Sequence, residues 1–273
     1  MGYEGGLALK SVRERTRELL RTLGVLNTAR ELWAARRPNL RFVCWNAGYR
    51  LAGAGDSLPI PPTRYIYLTI LSREVSWFLR SGRMGHQSIC RVLQQNDLHP
   101  ATFDAMLDFG CGCGRIIRHW RSLQGPRLYG SDYNAALIRW CRSHLDHLAS
   151  FSVNDLSPPL AYDDGVFDFV YAISVFTHLP EDLQLIWLRE LARVLRPGGH
   201  LLITLHGESR LHQLDPDEQA RFRCGELIVK QTAAAGTNVC GVYHPESYVR
   251  TRLSKGFDVV DFVPRGGRDT DQD

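Results

Sequence analysis

The residues best placed to do chemistry lie in the stretch from Asp108 to Arg115, which reads Asp-Phe-Gly-Cys-Gly-Cys-Gly-Arg. Apolar residues run into it from Ala105, and apolar residues at helical spacing follow it from Ile116. Glycines let the backbone turn sharply and approach a ligand closely, and a following helix would point its first N–H groups at the same place. A strand, a glycine turn and a helix in this order are typical of a loop that holds a nucleotide-type cofactor.

The spacing of the glycines distinguishes between cofactors. A dinucleotide loop reads Gly-x-Gly-x-x-Gly, which would require glycine at position 115 if counted from Gly110, and Arg115 stands there. The stretch has an acidic residue followed by alternating glycines, and it resembles the first motif of the class I S-adenosylmethionine-dependent methyltransferases. Taken alone, it also fits an ordinary glycine turn in an α/β sheet.

Polar residues after the next two predicted strands agree with that resemblance. Asp132 ends an apolar run, where a carboxylate can accept hydrogen bonds from both hydroxyls of a ribose and disfavours a phosphorylated one. Tyr133 is adjacent and is expected to lie against the adenine ring. The resemblance implies that Asn154 and Asp155 hold the adenine amino group. We therefore expect S-adenosyl-L-methionine as the cofactor.

The resemblance also implies a place for the methionine end of the cofactor. Asp108 would receive its ammonium group, and Gly110 and Gly112 would let it lie close to the backbone. Ser174 opens the segment after the fourth predicted strand, which in such methyltransferases faces the transferred methyl group. The stretch Phe167–Ala172 and the Leu-Arg-Pro-Gly-Gly sequence before the fifth strand resemble later motifs of the family.

Two histidines are candidates for a catalytic base. His178 follows the fourth predicted strand and His206 ends the fifth, and ligands bind at the carboxyl ends of the strands in open α/β sheets. Imidazole titrates near neutral pH, so either histidine could deprotonate an acceptor. A capping or packing role is the alternative for His178, and a polar loop position is the alternative for His206. Candidates for contacting the acceptor are Phe176, Tyr67 and Arg83.

Alternating strand and helix patterns predict the elements that position these residues. We expect a Rossmann-like, doubly wound, mostly parallel sheet preceded by helices. Residues 1–100 are predicted as a helical extension or lid, with a helical pattern over 10–37 and a break at Ser81-Gly82-Arg83 between two later helices. Residues 101–273 are predicted as the cofactor-binding core, in which Asn134 caps the helix after the second strand and a polar insertion at 208–250 forms two helices. The apolar runs predict six strands, at 103–109, 127–132, 150–153, 167–173, 200–205 and 257–263. The seventh strand usual in this fold is missing, or 239–243 supplies it.

Composition, charge and cysteine content limit the cellular location and the metal binding that we expect. The 273 residues carry a net charge of +4, and 44% are hydrophobic, which is enough for a core. The start lacks a signal-peptide pattern and no run is long enough to span a bilayer, so we expect a cytoplasmic protein. The seven cysteines include a Cys-x-Cys pair in the glycine loop without a second ligand pair, so we expect reduced thiols and no metal.

The acceptor is the least determined feature. Ser174 to Leu179 does not have the Asn/Asp-Pro-Pro-aromatic pattern used on amino groups of bases, and no Pro-Cys pair for pyrimidine carbon is present. These absences argue against nucleic acid and favour a small or medium organic acceptor methylated at oxygen, nitrogen or sulfur. Residues 1–50 hold ten Lys/Arg against four Asp/Glu. They keep open an RNA or protein methyltransferase that docks through this basic segment.

Two other classes of protein remain as alternatives. One is a cofactor-binding protein without methylation activity. A nicotinamide-dependent oxidoreductase is the more distant one, because Arg115 replaces its third glycine. The sequence contains no pattern that predicts an oligomeric state.

Overall fold

The computed structural model describes residues 46–49, 51, 53–264 and 272. The helical pattern predicted for 10–37 and nearly all of the basic segment lie outside the described residues. Within the described part, no helix has the length and apolar character that a bilayer crossing requires.

The centre of the molecule is a parallel five-stranded sheet in the order β3-β2-β1-β4-β5. Its strands are β1 (Ala105–Phe109), β2 (Arg127–Asp132), β3 (Ser150–Val153), β4 (Phe167–Ala172) and β5 (Leu195–Ile203). All residues of β1 and β4 are buried, as expected of strands covered on both faces. The strand order reverses direction between β1 and β4, and the carboxyl ends of the strands there form the crevice where open α/β sheets bind ligands. The Rossmann-like sheet is confirmed.

Helices cover both faces of the sheet. They are α1 (Thr63–Ile70), α2 (Val75–Gln95), α3 (Ala135–His144) and α4 (Glu181–Val194), followed beyond the sheet by α5 (Pro216–Arg223) and α6 (Glu246–Tyr248). Asn134 caps α3 as predicted, because its side-chain oxygen accepts from the Ala136 N–H at 3.1 Å. Ile66 of α1 and Phe78 of α2 share one hydrophobic cluster with Met106 of β1. These two helices of the predicted lid therefore pack directly on the cofactor-binding core.

The predicted break at Ser81-Gly82-Arg83 is wrong, because α2 runs through it as one helix of 21 residues. Gly82 and Gly85 are buried where the helix meets the chain after the glycine loop. A Cβ on Gly82 would lie 2.2 Å from the carbonyl oxygen of Arg115. These glycines allow a close approach between two backbones, which outweighs their low helix propensity.

The predicted helix after the glycine loop is also wrong. The chain forms only a 3₁₀ turn, Ile117–Trp120. Ile116, Ile117 and Trp120 are buried in the core, which accounts for the apolar spacing that suggested a helix. Since a single 3₁₀ turn has almost no aligned dipole, the expected dipole contribution to cofactor binding is absent.

The edge of the sheet beyond β5 differs from the prediction. Phe257–Val263 forms no strand. Within 239–243 only β7 (Gly241–Tyr243) is a strand, and it pairs antiparallel with β6 (Ile228–Lys230) in a separate sheet. One parallel bridge joins Tyr243 to His206, just after β5. Residues 208–250 contain short 3₁₀ turns, α5, this hairpin and the start of a π-helical turn (Val249–Leu253), rather than two helices. Among the described residues the central sheet therefore ends at β5.

Candidate active site

The glycine loop follows β1 and has three residues in the left-handed region. Gly110, Gly112 and Gly114 have φ values of +78°, +57° and +80°. A Cβ on Gly110 would lie 2.3 Å from Val175, and one on Gly112 would lie 2.7 Å from Thr69. The loop therefore needs glycines both for its backbone conformation and for its packing between β4 and α1.

Asp132, at the end of β2, organises the glycine loop. One carboxylate oxygen accepts from the Gly112 N–H at 2.9 Å and the other from the Asn134 N–H at 2.8 Å. Burial raises the pKa of Asp132 to about 6, against the effect of these two N–H groups. Each oxygen retains a second acceptor site, so binding a ribose hydroxyl is compatible with this geometry.

Asp108, near the end of β1, is 3% exposed and one carboxylate oxygen has no hydrogen-bond partner. Burial raises its pKa to about 7, opposed by the positive charge of Arg115. A buried carboxylate oxygen without a partner is costly unless a cation or donor binds to it. The ammonium group of S-adenosylmethionine would meet this requirement, so the site fits the expected cofactor.

The residues predicted to hold adenosine lie together at the ends of β2 and β3. Tyr133 is 44% exposed, and Asp155 is exposed. The Asn154 side chain donates to the carbonyl oxygen of Asp155 at 2.7 Å, and its own amide oxygen is buried without a partner. An acceptor left in this position suits a ligand donor such as the adenine amino group.

Ser174, just after β4, has a φ of +61° despite its side chain. Its N–H donates to Thr204 Oγ1 at 2.8 Å, which fixes the strained backbone where it borders the glycine loop. Its hydroxyl donates to Gln272 Oε1 at 3.0 Å. Ser174 thus lies beside the glycine loop and lines the same cavity as Asp108 and Asp132.

These residues surround one cavity of about 420 Å³. Its cofactor side contains every predicted cofactor residue, namely Asp108, Gly110, Gly112, Asp132, Tyr133, Asn154, Asp155 and Ser174. Its other walls come from α1, α2, the turn after β4 and the insertion, and include Leu68, Trp77, His178, Leu179, Arg210 and Asn238. The Asn238 side chain donates to the Leu68 carbonyl oxygen at 3.1 Å, so the insertion and α1 meet over the cavity.

His178 lines this cavity, and a hydrogen bond defines its tautomer. Its Nδ1 lies 2.6 Å from the carbonyl oxygen of Cys240. A carbonyl can only accept, so Nδ1 bears the proton and Nε2 has the free lone pair. Burial lowers the pKa of His178, which keeps the ring neutral near pH 7. A neutral ring with an unprotonated Nε2 is the state in which a histidine can accept a proton.

His206 is placed differently. It is 9% exposed, its ring packs against the Tyr243 ring at a centroid distance of 5.3 Å, and it does not line the cavity. Burial lowers its pKa to about 3, with the charges of His178 and Arg210 acting in the same direction. Its ring centre lies 6.2 Å from that of His178. His206 thus sits behind His178, within the packing between β5 and the insertion.

The three residues predicted to contact the acceptor are not brought to the cavity. Phe176 is fully buried in the core beneath β4. The Tyr67 ring packs under the Arg73 guanidinium at 4.7 Å. Arg83 is on an exposed position of α2. Sequence position placed them near the crevice, but the rotation of each element points them elsewhere.

Several cavity residues were missed from the sequence. Arg115 breaks the dinucleotide pattern in the sequence, yet in the structure it lines the cavity beside Asp108. Trp77 carried no signal beyond its apolar helical position. Arg210 and Asn238 belong to the insertion, which has no readable motif. Only the position of Arg115, directly after the glycines, offered a signal that could have identified it.

The Cys-x-Cys pair of the loop is structural. Cys111 and Cys113 are buried free thiols, and burial raises their pKa values. The Cys113 sulfur lies 3.3 Å from the Thr69 hydroxyl of α1. Across the ranges that the structure describes, no group of three His, Cys, Asp or Glu side chains could hold a metal ion.

A comparison with known protein families finds a match within the cofactor-binding core. Residues 107–203 match the family model of a methyltransferase domain. This match confirms the predicted resemblance to class I S-adenosylmethionine-dependent methyltransferases and the predicted cofactor, S-adenosyl-L-methionine.

Similar curated proteins also carry methyltransferase names. The chain is 34% identical over 103 residues to methyltransferase GfsG of Streptomyces halstedii, covering 36% of each chain. It is 30% identical over 123 residues to norajmaline N-methyltransferase of Rauvolfia serpentina, covering 42% of this chain and 41% of the relative. The matches thus span well under half the length of these relatives.

Solved structures include a TehB-like S-adenosylmethionine-dependent methyltransferase from Corynebacterium glutamicum. It is 23% identical with a TM-score of 0.38, covering 54% of this chain and 74% of the other. The PH0226 protein of Pyrococcus horikoshii has a TM-score of 0.46 at 19% identity, covering 63% of this chain and 79% of the other.

Proposed function

We propose that this protein transfers the methyl group of S-adenosylmethionine to oxygen, nitrogen or sulfur of a small or medium organic acceptor. One observation carries the proposal. A single cavity contains all the predicted cofactor residues and also His178, whose free Nε2 is suited to take a proton. Cofactor and acceptor would therefore meet in a site that already contains a base.

The reaction would be a direct displacement at a methyl carbon bound to sulfonium. S-adenosylmethionine supplies the reactive methyl group, so the protein has to position the reactants and exclude water. Correct alignment can contribute about 7–11 kcal/mol to lowering the barrier. The contact between Asn238 and Leu68 supports this role, because it closes one wall of the cavity.

His178 is the proposed base for acceptors that must lose a proton. The Cys240 carbonyl holds the proton of Nδ1, and the Gly236 N–H donates to the His178 carbonyl at 2.8 Å. Both contacts come from the insertion, so the insertion would orient the base. His206 is proposed to act on His178 by packing behind it rather than by contacting the acceptor.

The acceptor side of the cavity supports a small organic molecule. Trp77, Leu68 and Leu179 provide apolar surface, while Asn238 and Arg210 provide polar groups. Cavities of about 300–1,000 Å³ with this mixture bind small ligands. Relatives such as norajmaline N-methyltransferase bear the names of small-molecule enzymes, which favours the same class here.

The test is acceptor-dependent formation of S-adenosylhomocysteine. Purified protein would be incubated with S-adenosylmethionine and panels of phenols, alcohols, amines and thiols, with total RNA and a protein extract as separate arms. We expect product formation with at least one small-molecule class and its loss in His178→Asn. Turnover only with RNA or protein would favour macromolecular methylation, and binding without turnover in any arm would favour a non-catalytic protein.

A further inference from the structure

One buried glutamine ties the turn that carries His178 to the helix that follows it. Gln184 of α4 is fully buried. Its side-chain nitrogen donates to the carbonyl oxygen of Phe176 at 2.9 Å and to that of Leu179 at 2.7 Å. The two carbonyls lie before and after His178 in the chain, and both N–H groups of the amide are used on them. Gln184 therefore holds the turn on both sides of the proposed base.

The oxygen of the same amide contacts the insertion. Gln184 Oε1 lies 3.0 Å from His244 Nε2. Because the backbone carbonyls can only accept, the amide nitrogen must face them and the amide oxygen must face the histidine. His244 is 1% exposed, and burial lowers its pKa to about 3, so its ring is neutral near pH 7. The single proton of this ring is then on Nε2, from which it is donated to Gln184.

His244 and Cys240 stand at the two ends of β7. The Cys240 carbonyl oxygen lies 2.6 Å from His178 Nδ1, and the His244 side chain contacts Gln184. The His244 N–H also donates to the carbonyl oxygen of His206 at 2.7 Å, which fixes this end of β7 to the end of β5. One short strand therefore contacts the base at one end and the glutamine at the other. The position of the Cys240 carbonyl relative to His178 depends on both contacts.

We infer that Gln184 is a positioning residue for the base, acting together with His244. An apolar side chain would fill this buried position at a lower desolvation cost than an amide, so the polar side chain indicates that the conformation of the turn matters. Loss of the amide would release the turn from α4 and from β7, and the His178 proton would no longer be held on Nδ1. An Nε2 atom that carries the proton cannot accept another one. The inference rests on the proposed function, in which His178 is the base.

NMR spectra of the imidazole nitrogens test the inference without an acceptor. The protein would be labelled isotopically at the histidine nitrogens and saturated with S-adenosylhomocysteine, and His178→Asn would assign the signals of His178. We expect wild-type protein to carry the His178 proton on Nδ1. In Gln184→Met, which keeps the length of the side chain and removes its hydrogen bonds, we expect exchange of this proton between both ring nitrogens. His244→Phe removes only the donor to Gln184 and should have the same effect.

A second readout is the division between turnover and binding. With an acceptor identified by the product assay, we expect the kcat of Gln184→Met to fall about ten- to a hundredfold, which is less than the loss of the base itself. The affinity for S-adenosylhomocysteine should stay within about threefold of wild type. Gln219→Met is the matched control, because Gln219 of α5 also donates to a backbone carbonyl, that of Leu214 at 2.9 Å. We expect this control to leave both the tautomer of His178 and kcat unchanged.

The outcomes separate the inference from the proposed function. An Nδ1–H tautomer that persists in folded Gln184→Met would overturn the inference, because Gln184 would then serve the fold alone. Where Gln184→Met does not fold, the tautomer in His244→Phe decides in the same way. Exchange of the proton in Gln219→Met would also overturn the inference, since any loosening of the chain would then suffice. The expected tautomers in all variants, combined with no methyl transfer by wild-type protein to any acceptor, would reject the proposed function alone.

Discussion

The Nδ1 atom of His178 lies 2.6 Å from the carbonyl oxygen of Cys240, so a residue of the insertion determines which imidazole nitrogen carries the proton. This contact joins two distant parts of the chain. His178 comes from the turn after β4, at the edge of the central sheet, and Cys240 precedes β7 in residues 208–250. The insertion would therefore set the tautomer of the base and also line the acceptor side of the cavity.

The His178→Asn variant removes the proposed base but keeps the hydrogen bond to the Cys240 carbonyl. The asparagine amide can still donate to the Cys240 carbonyl, but it has no basic nitrogen in place of Nε2. We expect kcat to fall about 10²–10⁴-fold while S-adenosylhomocysteine affinity stays the same. Steady-state kinetics and titration would measure the two effects. His147→Asn is the control, because His147 has a side chain 62% exposed.

A variant of His206 tests whether the second candidate histidine also contributes to catalysis. His206→Asn should lower kcat less than His178→Asn does, because His206 does not line the cavity and acts only through packing. The same kinetic assay at saturating cofactor would compare them. A larger loss in His206→Asn than in His178→Asn would reverse the two roles.

Cofactor affinity should depend on pH through Asp108. Its pKa is raised to about 7, and only the ionised carboxylate attracts an ammonium group. Below about pH 7 we expect the affinity for S-adenosylhomocysteine to fall by up to about tenfold per pH unit, with proton uptake by the free site and proton release on binding. Titrations between about pH 8 and about pH 6 in buffers of different ionisation enthalpy would measure both.

The groups around Asp108 define the control for that experiment. Arg115, the Tyr171 hydroxyl and Asp132 act on its pKa from the neighbouring elements. Asp132 has a pKa of about 6 and contributes at the acidic end. Asp108→Asn should flatten the pH dependence near pH 7, since the group that titrates there is removed. An unchanged pH profile in this variant would contradict the assignment.

Asp132→Ala should remove most cofactor affinity. The change deletes the predicted ribose acceptor and also leaves the N–H groups of Gly112 and Asn134 without their partner. We expect at least a tenfold loss of S-adenosylhomocysteine binding and a destabilisation of about 1–3 kcal/mol. Titration and urea unfolding would measure these, with Asp146→Ala as a control because its side chain is 75% exposed.

Gly82→Ala tests why α2 contains glycines. The added Cβ would lie 2.2 Å from a backbone oxygen, so we expect the free energy of unfolding to fall by about 1–3 kcal/mol despite better helix propensity. In Gly85→Ala the nearest atom is Ile116 Cδ1 at 3.0 Å, the end of a flexible side chain. Urea unfolding should therefore show a smaller loss for Gly85→Ala, and equal losses would contradict the account.

The fold was largely predictable because the buried strands carry strong local signals. The apolar run of β4 and the strand that ends at Asp132 were predicted almost to the residue. The errors arose where tertiary packing overrides local preference. Gly82 interrupts a helical sequence pattern but serves a backbone contact with Arg115, and Ile116 to Trp120 has helical spacing but forms a 3₁₀ turn within the core.

The predictions for the site show the same division between local sequence signals and tertiary packing. The residues predicted for the cofactor follow the ends of successive strands, and parallel strands bring those ends together regardless of side-chain detail. The residues predicted for the acceptor depended on the rotation of each element, which the sequence does not specify. Phe176 therefore proved to be core, while Asn238 reached the cavity from far along the chain.

The most direct test of the central claim is a calorimetric titration of the purified protein with S-adenosylmethionine, S-adenosylhomocysteine and NADH in parallel. The account predicts saturable binding of both adenosyl compounds at one site per chain and no binding of NADH, because Arg115 occupies the position of the third dinucleotide glycine. Absence of binding by both adenosyl compounds, or binding of NADH in their place, would contradict it.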